Sequence, residues 1–178
     1  RGQSSRLRDP SAYGIPQYVA DMVTLIARLN VDSVDWVGTS MGGLIGMALA
    51  SQQGTPIRKL LLNDVGPVIT TQSLERIATY VGTDPTWATF DEALAYIKVI
   101  SAPFGQLDDA QWRHLTEHSI GQRPDRRWGF LYDPLIAAPF KAAFSGEPID
   151  LWPIYERITC PTLVVRGADS DLLTRETW

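Results

Sequence analysis

One cysteine among 178 residues excludes an internal disulfide framework and a zinc site built on several thiolates. Two histidines leave almost no material for a histidine-built metal centre. No run of 18 apolar residues occurs, so no segment is long enough to span a bilayer as a helix. Neither sign of charge dominates: 16 Lys+Arg against 20 Asp+Glu leave −4, which argues against a general nucleic-acid binder. Internal repeats, low-complexity tracts, a starting Met and a signal-peptide pattern are all missing. What is present is an ordinary globular composition, 44% hydrophobic and 20% charged. The length suits one domain, and a chain of this size hides roughly 70% of its unfolded surface. The expected setting is cytoplasmic, with no membrane span and no nucleic-acid partner; composition leaves the oligomeric state open.

The first third alternates. Pro16 to Leu29 reads as a helix, with Val19, Met22, Val23, Ile26 and Leu29 on one face. Ser33 to Val37 reads as a strand ending at Gly38, and Met41 to Gln53 as a helix closed by Gly54. Ile57 to Leu62 is a near-continuous apolar run, the mark of a strand buried on both faces. Helix, strand, helix, strand predicts a parallel sheet with right-handed crossovers. From about 70 to 158 the patterns turn helical, at Ser73–Val81, Asp91–Ile100, Asp108–Gly121 and Leu135–Phe144, punctuated by prolines. Thr162 to Arg166 reads as another buried strand, ended by Gly167. The chain opens in the polar run RGQSSRLRDP and stops at Trp178 in what reads as a helix beginning near Thr174, the pattern expected of a piece of a longer chain.

Gly38-Thr39-Ser40-Met41-Gly42 fits G-x-S-x-G and lies between a predicted strand and a predicted helix. There the pattern has a chemical meaning. A serine on a sharp strand-to-helix turn projects its hydroxyl above the sheet edge, and glycines two residues to either side let the backbone pass without a clash. The Met41 N–H then faces an oxyanion at the helix N-terminus. The plainer alternative is a serine that caps the helix and glycines that merely make the turn.

Together these segments resemble the α/β-hydrolase family, in its lid-bearing serine-hydrolase branch. SVDWVGTSMG (Ser33–Gly42) is similar to its nucleophile elbow and the strand before it. LLLNDVG (Leu60–Gly66) and ITCPTLVVRG (Ile158–Gly167) resemble its next two strands, and Gly2-Gln3-Ser4-Ser5 its G-x-S segment. The resemblance implies an α/β fold: a doubly wound, mostly parallel sheet formed by 1–67 and 158–178, with 68–157 inserted as a helical cap. It also implies that the family's N-terminal strands and its C-terminal histidine segment belong to sequence beyond these 178 residues.

A serine hydroxyl needs a base, usually histidine, oriented by a carboxylate. The family places the acid after the seventh strand, most often three residues past the glycine, and that position here is Ser170. Asp171 is the first candidate, because S-D-L-L resembles a variant of related hydrolases, and Asp169 the second. Either could instead cap a following helix. Asp64, after the sixth strand, is a third candidate, whose simpler role is to order the turn before Gly66-Pro67. His114 and His118 are four apart and share a helix face. The zincin pattern needs Glu beside the first histidine, and Leu115 stands there, so no metal is expected. Both also precede the aspartates, the wrong order for the family's triad. Cys160 reads as a small buried residue.

Trp87, Phe90, Trp112, Phe130, Phe140 and Trp152 could line an apolar substrate pocket, although most are expected to hold the insertion together. The reading is a hydrolase of carboxylic esters or related small acyl substrates, with no cofactor, in which Ser40 attacks and Met41 N–H holds the oxyanion. A C–C bond hydrolase, a thioesterase, an acyltransferase or a haloperoxidase would share these motifs, as would a non-catalytic ligand-binding module. Haloalkane dehalogenase chemistry is disfavoured, since those relatives carry Asp where Ser40 stands. A nucleotide binder lacks its Gly-rich phosphate loop.

Overall fold

The computed structural model describes residues 3, 6–7, 9–143 and 145–177. Gly2, Ser4 and Ser5 of the G-x-S segment, the predicted helix end at Phe144, and Trp178 lie outside the described residues. In chain order the helices are α1 (Ile15–Arg28), α2 (Met41–Ala50), α3 (Thr71–Tyr80), α4 (Phe90–Ile100), α5 (Asp109–Glu117), α6 (Ala137–Ala143) and α7 (Trp152–Tyr155). The strands are β1 (Val34–Thr39), β2 (Ile57–Asn63), β3 (Val68–Ile69), β4 (Thr86–Trp87), β5 (Ile120–Gln122), β6 (Trp128–Phe130), β7 (Ile149–Asp150) and β8 (Thr162–Val165). Two compact units result, one of Arg1–Tyr13 with Ile77–Ala143, the other of Gly14–Arg76 with Phe144–Trp178. Residues 68–76 and 144–157 of the expected insertion thus fall in the second unit.

The second unit is built on a parallel sheet of order β1-β2-β8. Trp36 pairs with Leu60, Thr39 with Asn63, and Asn63 with Val165, so the three strands end level. One face carries Trp36, Leu60 and Leu62, against which α2 packs; Leu60 is 2% exposed and Leu62 0%. Helix α2 is apolar nearly all round, with Ile45, Met47, Leu49 and Ala50 buried, as a helix enclosed between sheet and α1 must be. Burial of β2 and β8 on both faces does not hold. Arg58, Lys59, Leu163 and Val165 are exposed, and on β1 Val37 is 72% exposed, because the packed helix lies on one side of the described sheet. The helix expected near Thr174 is a series of turns.

The first unit is less uniformly helical than its patterns suggest. The helix expected over Asp108–Gly121 starts in a capping box, where Asp108 and Gln111 satisfy each other's backbone N–H, but it stops at Glu117. Ile120–Gln122 then turns into β5, because it pairs with β6 in an antiparallel sheet of order β4-β6-β5. On that sheet Trp87, Ala93, Ile97, Ile120 and Phe130 form a buried cluster, with Phe90, Tyr96 and Trp128 packed against it. Trp87 meets Phe130 edge-on at 5.3 Å and Phe90 meets Trp128 at 5.6 Å, contacts worth about 0.5–1.5 kcal/mol each beyond area burial. Trp87, Phe90, Phe130 and the buried Trp112 are therefore packing residues of this unit. At its base the Tyr13 hydroxyl, in a side chain 1% exposed, donates to Asp133 at 2.8 Å.

Candidate active site

The level ends of β1, β2 and β8 release Ser40, Asp64 and Arg166 at one edge of the sheet. The carboxyl ends of parallel strands are where ligands bind in open α/β sheets. The ladder continues one residue beyond: Ser40 N–H donates to the Asn63 carbonyl at 3.2 Å, and Asp64 N–H to the Val165 carbonyl at 2.7 Å.

Ser40 turns the chain from β1 into α2 at φ 50° and ψ −119°. A non-glycine residue there stores of order 1–3 kcal/mol of strain. The side chain is exposed and makes no capping bond to the helix. The hydroxyl is therefore not used in the plainer, capping role. Met41 provides the first N–H of α2, a position at which a helix leaves its donors unpaired. Steric demand at the turn differs from the expectation of two flanking glycines. A Cβ on Gly38 would lie 2.4 Å from the Gly42 carbonyl oxygen and 2.6 Å from the Gly43 nitrogen, backbone atoms that cannot give way. A Cβ on Gly42 would meet nothing within 4 Å. The second crowded position is Gly43, where a Cβ would sit 2.3 Å from a Val65 methyl. Trp36 steadies the turn, its indole N–H donating to the Gly42 carbonyl at 3.0 Å.

The three candidate carboxylates occupy different situations. Asp64, at φ 56°, accepts from Gly167 N–H at 2.9 Å and from the Ser170 hydroxyl at 2.9 Å. It thus orders the loop after β8 rather than its own turn before Gly66-Pro67. Ser170, at the place where the family most often has its aspartate, also accepts from Leu172 and Leu173 N–H at 3.2 and 3.1 Å. Arg166 binds the Ala168, Ser170 and Leu173 carbonyls at 2.9, 3.1 and 2.7 Å, closing the loop round its guanidinium. Leu173, 0% exposed, anchors its end. Asp169 points from this loop into solvent. Asp171 is paired with Arg76 of α3, Oδ2 to Nε at 2.5 Å and Oδ1 to Nη2 at 2.9 Å. Arg76 and the positioning use of Ser170 escape a reading of motifs, because these contacts join residues 95 and 106 apart in sequence, and Arg166 escapes it because its bonds go to main-chain carbonyls, which carry no side-chain signature.

In the first unit the rings of His114 and His118 lie 4.2 Å apart, tilted by 44°, with the His118 Nδ1 at 2.8 Å from the His114 carbonyl oxygen. Cys160 is half-buried rather than fully buried. No helix among the described residues is long and apolar enough to cross a membrane.

A strained serine between a parallel strand and a helix, level with an acid-bearing loop two strands away, defines an α/β-hydrolase arrangement. Residues 1–176 match the alpha/beta hydrolase fold family, and the chain belongs to it. Over 185 aligned residues it is 52% identical to the 3-hydroxybutyrate-oligomer hydrolase of Cupriavidus necator, covering 99% of this chain and 63% of that protein. The chain spans 63% and 59% of the lengths of two curated relatives it matches. The crystal structure of an alpha/beta hydrolase from Novosphingobium aromaticivorans superposes with a TM-score of 0.83 at 34% identity, over 95% of this chain and 60% of that one. E-2-(acetamidomethylene)succinate hydrolase shares the fold, with a TM-score of 0.80 at 22% identity over 95% of this chain and 61% of that one.

Proposed function

We propose that this chain carries the nucleophile, one oxyanion donor and the acid of a serine hydrolase that cleaves carboxylic esters. The observation that carries this reading is the backbone of Ser40, held at φ 50° with its hydroxyl exposed and free of helix capping. Strain kept at a turn that needs only a glycine is accounted for by what the turn presents.

A histidine, which the family resemblance assigns to sequence after the last strand, takes the Ser40 proton as Oγ bonds to the ester carbonyl carbon. Met41 N–H receives the oxyanion. The bond to the leaving oxygen breaks, and the alcohol departs with the proton from the histidine. Water then attacks the acyl-enzyme by the same route, releasing the acid and restoring Ser40. Asp171 orients the histidine, and Asp169 is the second candidate for that role. The insertion of this reading is 68–157. The similarity to the Cupriavidus necator protein points to short 3-hydroxyacid oligomers, in which the alcohol released is itself a hydroxyacid.

The test uses the complete protein, a fluorophosphonate probe and peptide mass spectrometry, with Ser40→Ala as control. An adduct on Ser40, lost in the variant, together with cleavage of 3-hydroxybutyrate dimer and trimer, is the expected result. No adduct on protein shown to be folded overturns the reading and leaves a hydrolase-like binding module. An adduct without oligomer cleavage overturns only the substrate.

A further inference from the structure

We propose that Arg76 is a positioning residue that fixes the carboxylate of Asp171, so that α3 and the loop after β8 act as one device. The inference rests on the reading of Asp171 as the acid. The guanidinium meets the carboxylate through two nitrogens, at 2.5 and 2.9 Å, the fork-on-fork geometry that sets both the plane and the rotation of a carboxyl group. The side chains are 31% and 28% exposed, so solvent only partly screens the pair. The same stretch also lies beside the Asp171 main chain, where the Thr70 hydroxyl oxygen is 3.5 Å from its carbonyl oxygen. Thr70 is itself fixed, its hydroxyl donating to Ser73 Oγ at 3.0 Å and accepting from Ser73 N–H at 3.2 Å.

The rest of the loop is held otherwise. Asp64 grips Gly167 and Ser170, and Arg166 grips carbonyls. None of those bonds reaches the Asp171 side chain. Without Arg76 the loop keeps its path and the carboxylate gains freedom to rotate. An acid that orients a histidine acts through its direction, so that freedom lowers the rate and leaves substrate binding alone. Each carboxylate oxygen has two lone pairs, and one bond from Arg76 leaves the other to a histidine N–H.

The experiment is a double-mutant cycle in the complete protein, read by the rate at which a fluorophosphonate phosphonylates Ser40 with loss of fluoride and by kcat and KM on a soluble ester. Arg76→Met is expected to lower phosphonylation and kcat by about 10- to 100-fold with KM within about twofold. Arg76→Lys, which keeps the charge and loses the fork, is expected to recover part of that loss. In an Asp171→Asn background Arg76→Met is expected to have no further effect. Full activity in Arg76→Met, a loss confined to KM, or a loss that adds in full to that of Asp171→Asn overturns the proposal. Should Arg76→Met fail to fold, Arg76→Lys and Arg76→Gln decide: wild-type rates in both overturn it, and graded losses that vanish in the Asp171→Asn background support it. If Asp171→Asn alone keeps the wild-type rate, the assignment of the acid falls, a result distinct from any of these.

Discussion

The turn that presents Ser40 and the loop that carries Asp171 leave the same sheet edge, yet they are held by opposite means. The turn is held by backbone against backbone: Gly38 lies against Gly42 and Gly43, with one long side chain, Trp36, reaching across. Most of what it needs lies within a few residues of Ser40, the exceptions being the Asn63 carbonyl and the Val65 side chain beside it. The loop is held by polar side chains, Arg166 at its start and Asp64 from the end of β2, while Arg76 from α3 fixes the Asp171 carboxylate. The contrast matches what each would do in the reaction. A nucleophile must be strained and stiff, whereas an acid must be directed. It also implies different fragility, since crowding breaks the turn and loss of the Asp64 carboxylate breaks the loop.

The largest effect expected from this contrast is at Gly38. Gly38→Ala drives a methyl into the Gly42 carbonyl, an overlap relieved only by moving α2 off β1. We expect a loss of about 3 kcal/mol or more, a fall in Tm of roughly 10 °C and loss of Ser40 labelling. Gly42→Ala is the matched control. Its Cβ meets open space and alanine favours a helix, so its Tm should stay within about 2 °C of the parent. Equal melting of the two variants would break the backbone account of the turn.

Asp64 tests the loop. Asp64→Ala leaves the Gly167 N–H and the Ser170 hydroxyl without their acceptor, an expected cost of about 1–3 kcal/mol. Activity should fall in kcat through the displaced loop, while a probe adduct on Ser40 still forms slowly. Asp64→Asn keeps one acceptor oxygen and should lie between. The pair also separates two roles, because Asp64 as the triad acid predicts that Asn is as damaging as Ala.

The same contrast explains what the sequence makes legible. The turn could be read because its signals are local: a Val- and Trp-containing strand, Gly-x-Ser-x-Gly, then an apolar helix. Even so, the pattern gave Gly42 a steric duty that falls to Gly43, since which backbone atoms approach depends on how α2 lies on the sheet. The loop could be placed after β8 but not assembled, because a pairing such as Arg76 with Asp171 joins residues 95 apart and leaves no periodic trace. The three-stranded sheet of the first unit escaped for a related reason. A strand of two or three residues, such as Thr86–Trp87, is too short to display alternation, and Ile120–Gln122 follows a helix whose pattern runs on past its end. Apolar runs read as buried strands put Leu163 and Val165 inside; composition reports how apolar a strand is, and only packing tells which face is covered.

The smallest expected effect tests whether burial, rather than charge or separation in sequence, makes the loop's contacts count. Asp35 and Arg58 also join two strands of this sheet through a forked pair, at 3.0 and 2.7 Å, but in solvent. The hydrogen bond from Arg58 holds the Asp35 carboxyl below the ordinary carboxylate value. A depressed folded-state value means that the pair's contribution is present above the ordinary range and is lost as pH falls through the lowered value. Because both groups are exposed, water and salt screen most of that contribution. Asp35→Asn should therefore melt within about 2 °C of the parent at neutral pH. The difference should shrink towards zero below the carboxylate range and in molar salt. Thermal melts across pH and salt check this beside Asp64→Asn, where the carboxylate is half-buried and the partners include a main-chain N–H. If Asp35→Asn costs as much as Asp64→Asn, any forked ion pair would tie the strands equally well, and the loop after β8 would have no special claim to be held in place for chemistry.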